Sequence, residues 1–334
     1  ASDGLVFVRS HDAQSDLWRA RLSDGAVRPF VTSADRTETW PYWAEATRRL
    51  VYQSEPAPRG AADLWLWEPG APAPRPLTDT PDRDERWPEW SPDGARVTFA
   101  WRGERAPVTG VGWIEVPSGE ELHAAPSGPR DFFFRPSFAP DSRRLVAQRR
   151  DGGPRTSTLW LVDERGPRRL TAGGGWVEQK PFFSRDGAWV VFSRERDDGP
   201  RELARVATGP GREARAAERL AAGQPGADEH SARPSPTRDE VAFVSDRDGS
   251  RDVWLAPLDG GPARNLTRTR ERDEFAPRWS PDGERLVVTA APPQPPGRAG
   301  DRIAGVDTTL VVLDREGRVL LETPGMMPDW MPPF

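Results

Sequence analysis

The sequence Pro-x-Trp-Ser-Pro-Asp-Gly followed by an alternating apolar run occurs twice, as RWPEWSPDGARVTFA at 86–100 and FAPRWSPDGERLVVTA at 275–290. Weaker copies start at Thr39, Phe134, Gln179 and Ser231. A repeat of this length is one supersecondary unit that cannot bury its apolar face alone, so the units must stack into an array or a ring. This constrains the fold more than any other feature.

Each copy continues into a second apolar strand and then a third of the form Asp-hydrophobic-Trp, at 16–18, 63–65 and 252–254, with Thr-Leu-Trp at 158–160. A last strand ends in Leu-Thr at 77–78, 170–171 and 266–267. The unit is thus four short strands, and Pro-Asp-Gly pre-sets the turn between the first two. Second strands are expected to start at Leu5, Leu50, Val97, Leu145, Val190, Val241 and Leu286, with spacings of 45, 47, 48, 45, 51 and 45 residues. The first unit lacks an inner strand, whereas Pro328-Asp329-Trp330 near the C-terminus has nothing after it. The expectation is an all-β, seven-bladed β-propeller of four-stranded antiparallel blades over residues 1–334 as one domain. Its ring is closed by the C-terminal strand pairing with the N-terminal blade. Trp43, Trp90, Trp279 and Trp330, with Phe138 and Phe183 at the same position, are expected to wedge neighbouring blades together.

The residues that carry this pattern resemble the TolB-like β-propeller repeat, which also occurs in the propellers of dipeptidyl-peptidase-type enzymes. The resemblance covers essentially the whole chain and implies fold more than function. It implies a place in the periplasm or outside the cell, any export signal having been removed or never present. TolB itself has six blades and an additional small α/β domain, and this chain departs from it where its first strand begins at Leu5.

The chain's 47 basic and 52 acidic residues are closely mixed and give a net charge of -5, which offers no basic face for phosphate, so nucleic acid is not an expected partner. No apolar run approaches the ~20 residues a membrane-spanning helix needs. With no cysteine, disulfides, thiol nucleophiles and zinc–thiolate sites are excluded. Gly-x-Ser-x-Gly, HExxH, the P-loop and GxGxxG are all missing, and a separate hydrolase domain has no room within these residues. The three histidines, His11, His123 and His230, are assigned to different parts of the unit and form no cluster.

Glu38, Glu85, Glu178, Glu229 and Glu274 each stand three residues before the inner-strand proline or its equivalent, where Phe133 and Gly325 occupy the remaining positions. Carboxylates crowded at one channel entrance raise one another's pKa or take a hard cation, so these five are candidate ligands for calcium. The alternative is that each locks one blade to the next through backbone amides or a neighbouring arginine such as Arg36, Arg83, Arg86, Arg272 or Arg278. Trp40, Trp87, Phe133, Trp176 and His230 lie near the same entrance and are candidate ligand-binding residues. They are joined there by the connections at 101–110, 149–156, 194–200 and the proline-rich 290–307. The expected molecule is a monomeric, non-catalytic binding protein that recognises a protein or small molecule at this mouth. The alternative is a propeller lyase or hydrolase working through channel-mouth carboxylates.

Overall fold

The computed structural model describes all residues except 1–2, 12–13, 58–59, 104–108, 117, 128–130, 152–155, 198, 210, 212, 221–222, 294–306 and 333–334. Much of the proline-rich 290–307 connection and parts of the three shorter ones therefore lie outside the described residues.

The described residues form strands and no helix. In a representative unit, strand Arg36–Ala44 pairs antiparallel with Arg49–Pro56, which pairs with Asp63–Trp67, which pairs with the short outer strand Arg75–Pro76. Five sheets have four strands in this order, and a sixth joins two such sets through a single parallel contact between Ser157 and Val177. Second strands begin at Gly4, Arg49, Arg96, Leu145, Trp189, Glu240 and Arg285, each within one residue of expectation. The C-terminal strand Met326–Met331 pairs antiparallel with Gly4–His11, setting Trp330 opposite Leu5. Among the described residues no sheet closes on itself.

The second strands are apolar on both faces because each is covered twice. Val241 and Phe243 pack against Val191 and Leu203 of the preceding sheet, while Ala242 and Val244 meet Leu286 and Val288 of the following one. Similarly, Leu5 and Phe7 meet Val287, Leu310 and Val312, and Val6 and Val8 meet Leu50 and Tyr52. The core is therefore a series of dry layers between sheets, with each sheet serving two.

The Ser-Pro-Asp-Gly turns close locally. Ser280 donates to Asp282 at 2.5 Å, Asp282 accepts from the Glu284 amide, and Gly283 holds φ +69°. A Cβ on Gly283 would come within 2.1 Å of Thr237 on the neighbouring turn, so both conformation and space demand glycine there.

Candidate functional site

The entry glutamates are clasps between sheets. All five are buried, at 0–2% exposure. Thr78 and Thr80 donate to Glu85, Thr267 and Thr269 to Glu274, Thr171 to Glu178 and Ser33 to Glu38. The Leu-Thr ends of the outer strands thus exist to reach the next inner strand. The Asp of Asp-x-Trp completes the device. Asp252 accepts the Thr269 amide at 3.0 Å, and Asp63 and Asp16 stand in the same relation to Thr80 and Ser33. Arginine takes part through Arg247, paired with Glu229, and Arg272, paired with Glu274. Burial, opposed by the hydroxyl donors, raises the carboxyls of Glu38, Glu85, Glu178 and Glu274 to about 7. Each responds to residues of its own clasp, and among the described residues no three His, Asp or Glu side chains are grouped so as to hold a metal ion.

The other candidate residues are scattered. Phe133 is a core residue, 4% exposed and edge-on to Trp160. The guanidiniums of Arg194 and Arg196 lie over Trp176 at 4.3 and 4.5 Å. His230 is buried with Nδ1 2.9 Å from the Ser231 hydroxyl. Trp87 packs beside Phe134 at 5.6 Å in a small cleft with Arg86, Trp101, Phe132 and Arg150, and Arg135 lies over Trp40 at 5.3 Å.

Trp40 and Trp87 share a backbone feature that sequence reasoning missed. Each inner strand carries a β-bulge at the residue before the proline position, and that residue is left-handed: Trp40, Trp87, Arg135, Lys180, Ser231, Ala276 and Met327 have φ between 46° and 58°. Such conformations cost of order 1–3 kcal/mol each and persist only where the surroundings impose them. The bulge re-aims the residue after the proline. Those residues are Tyr42, Glu89, Ser137, Phe182, Arg233, Arg278 and Asp329, and all of them line one cleft of about 500 Å³. The cleft also touches Pro92, Pro140, Arg185, Pro236 and Pro281 of the first-to-second-strand turns, so it opens at the end of the inner strands opposite the glutamates.

Tryptophan wedges hold these cleft residues. The indole of Trp90 donates to the Tyr42 carbonyl, that of Trp279 to Arg233 and that of Trp330 to Arg278, so each tryptophan grips the backbone of the preceding cleft residue. Within the cleft, Glu89 accepts from Ser137 at 2.7 Å and from the Tyr42 hydroxyl at 3.1 Å. Asp329 accepts from Arg278 at 2.6 Å and from the Trp43 amide at 2.6 Å. Arg278 also lies over the Tyr42 ring at 4.1 Å, and Arg233 lies over the Phe182 ring at 3.5 Å. Burial raises Glu89 and Asp329 above the ordinary carboxyl range, raises Tyr42 to about 12 and lowers Arg233 to about 10. A buried, hydrogen-bonded carboxyl with an elevated pKa beside a cleft is the arrangement from which acid–base chemistry is built. The available sequence signal was variation, since the seven copies of one aligned position carry six different residues, Tyr, Glu, Ser, Phe, Arg, Arg and Asp.

No protein family's sequence profile matches the chain. A stretch of 57 residues, 17% of the chain, is 39% identical to Tricorn protease homolog 1 of Streptomyces coelicolor, of which it spans 5%. Among solved structures, an oligogalacturonate lyase in complex with manganese superposes with a TM-score of 0.69 at 12% identity, over 95% of this chain and 87% of that one. Puromycin hydrolase gives 0.68 at 19% identity over the full chain, which spans 53% of that enzyme, and TolB from Acinetobacter baumannii gives 0.56 at 15% identity over 99% and 83%. The chain likewise spans only 42% of a similar prolyl endopeptidase, and the β-propeller domain of the trilobed protease from Pyrococcus furiosus is also similar. These likenesses establish a TolB-like β-propeller fold. They also correct the expectation of a non-catalytic binding protein. The fold's solved neighbours are mostly enzymes, so the enzyme alternative is the better supported of the two.

Proposed function

We propose that the chain is a seven-bladed propeller serving an enzyme, a hydrolase or lyase, whose substrate is handled in the turn-side cleft with Glu89 as the candidate acid–base group. The blade count divides the eight-stranded sheet at its single Ser157–Val177 contact, and the ring is closed by the C-terminal strand. Supporting this closure, Met326–Met331 lies beside both Gly4–His11 and Arg36–Ala44. We place the protein outside the cytoplasm on its likeness to TolB alone; no helix among the described residues is long and apolar enough to cross a membrane. The entry glutamates are inter-blade clasps in this reading.

The observation that carries the functional reading is Glu89, held by Ser137 and Tyr42 in a cleft whose volume lies within the ~300–1,000 Å³ usual for ligand sites. Two substrate panels test it: chromogenic aminoacyl and peptidyl amides for hydrolysis, and oligouronides followed by the absorbance of an unsaturated product for elimination. Turnover of one panel is expected, with Glu89→Gln lowering kcat by about 100-fold or more. Absence of turnover on both, or a Glu89→Gln variant as active as wild type, would overturn the reading.

A further inference from the structure

The cleft is lined by three carboxylates, Glu45, Glu89 and Asp329, and three guanidiniums, Arg185, Arg233 and Arg278; Arg278 pairs with Asp329 inside it and Arg185 with Asp239 at its rim. Both Asp329 oxygens are taken, by Arg278 and by the Trp43 amide. Both Glu89 oxygens are taken by neutral donors, Ser137 and Tyr42. Arg233 is therefore left with no ion pair and no side-chain hydrogen bond among the described residues, although Tyr42 and the Glu89 carboxylate lie near enough to act on its charge. Its guanidinium lies over the face of Phe182, at 3.5 Å.

A guanidinium presents five N–H donors in a rigid fork that matches a carboxylate, and it cannot discard its charge. Stacking on an aromatic face satisfies the flat side of the cation and leaves its donor edge unserved. That edge belongs to a residue lining the open cleft, and its backbone is fixed by the bulge at Ser231 and by the Trp279 indole on the Arg233 carbonyl. The backbone is therefore held from two sides, and the Phe182 ring lies against the guanidinium. Around it the cleft wall alternates aromatic and polar groups: Phe182, Phe183, Trp279 and Tyr42 stand with Ser137 and Arg278.

We infer that Arg233 anchors a carboxylate whose remaining bulk is apolar, as at the C-terminus of a peptide, with the acid on the guanidinium edge and the apolar part against the Phe182–Phe183 wall. A neutral ligand could offer a carbonyl to Arg233 but no counter-charge and no matching bidentate pair. A small, fully polar dianion would find one free cation and would face Glu89 and Asp329 besides. The pairing of one available cation with aromatic walls selects a monoanion that carries an apolar group.

This site shares its cleft with the proposed chemistry and takes its biological meaning from that reading, so the test reads equilibrium binding instead of turnover. Isothermal titration compares N-acetyl-Ala-Ala-Phe as free acid with the same peptide as its C-terminal amide, and with hydrocinnamate. The acid is expected to bind about tenfold or more tighter than the amide. Arg233→Gln should erase the difference. Arg185→Gln, at the rim and already paired with Asp239 at 2.7 Å, should keep it. Hydrocinnamate binding as tightly as the peptide would support the site and assign it to small organic acids. Equal binding of acid and amide to the wild type, or binding of neither at millimolar concentration, would overturn the inference, and that comparison stands even where Arg233→Gln fails to fold. A preference for the acid without turnover removes only the enzyme reading. Turnover without that preference removes only this one.

Discussion

The two ends of the inner strands carry acidic residues for opposite reasons. At the entry, glutamate recurs at Glu38, Glu85, Glu178, Glu229 and Glu274, and each accepts from a nearby donor, a hydroxyl of the preceding unit at all but Glu229, where Arg247 donates. At the cleft, a few residues further on, Tyr42, Glu89, Ser137, Phe182, Arg233, Arg278 and Asp329 occupy equivalent positions with almost no repetition. In a molecule assembled from copies, a residue repeated at one position serves what every copy must do, which is to hold its neighbour. A position that shares its backbone but not its side chain is free of that duty. Repetition therefore marks architecture here, and its breakdown marks the place where this chain differs from a generic array.

The largest test of that division removes an inner strand altogether. Deleting residues 326–334 strips Gly4–His11 of its partner, uncovers Leu5 and Phe7, now fully buried, and takes Asp329 and Trp330 out of the cleft. Loss of several kcal/mol is expected, on the order of 5 kcal/mol from lost burial and an opened sheet edge, with a matching fall in Tm. If the truncated chain melts where the full one does, the pairing of the two termini carries no weight in the fold.

What the sequence made legible follows from the range of the interactions. Ser-Pro-Asp-Gly spells its own turn because Ser280, Asp282 and the Glu284 amide all lie within five residues, and strand starts follow from an apolar run covered on both faces. The clasp was half legible. Thr78 and Glu85 are seven apart, close enough to notice, but the glutamates were read as converging on the channel, and the motifs Leu-Thr and Asp-x-Trp were not linked to them. The cleft was legible only as variation at one repeat position, with nothing to say what that position lines. Tyr42 meets Glu89 across 47 residues and Arg278 meets Asp329 across 51, distances set by the repeat, while the bulge that aims these side chains has no signature beyond its proline.

Asp329→Asn sharpens the comparison within the cleft. Arg278 and Asp329 are largely enclosed, at 15% and 14% side-chain exposure, so the substitution leaves a guanidinium without its counter-ion and should lower stability by about 3 kcal/mol. Glu89→Gln, whose partners are neutral hydroxyls, should cost about 1 kcal/mol. Chemical denaturation measures both. Equal losses would mean that the charge pairing in the cleft is not what distinguishes its members.

The smallest effect is a pH slope that belongs to the entry glutamates. Burial raises Glu38, Glu85, Glu178 and Glu274 to about 7, so between the unfolded value near 4.5 and about 7 the folded chain binds protons that the unfolded chain has released. Stability from these groups is complete below about pH 4.5 and is lost as pH rises through 7. The turn aspartates Asp93, Asp186 and Asp282 are held below their ordinary range by serine hydroxyls and turn amides, and act oppositely, but only in more acidic solution. Denaturation midpoints should therefore fall from pH 5 to pH 8. Each clasp can contribute at most about 1.4 kcal/mol per pH unit. Glu85 faces Thr80, Asp63, Glu121 and Arg83, and Glu274 faces Thr269, Asp252 and Arg272. Replacing both glutamates by glutamine keeps an acceptor for the threonines and removes the titration, so the double variant should lose less stability than wild type across this range and gain on it at pH 8. Parallel pH profiles for the two proteins would show that the clasp carboxyls are ionised throughout, with their charge compensated by something other than the hydroxyls around them.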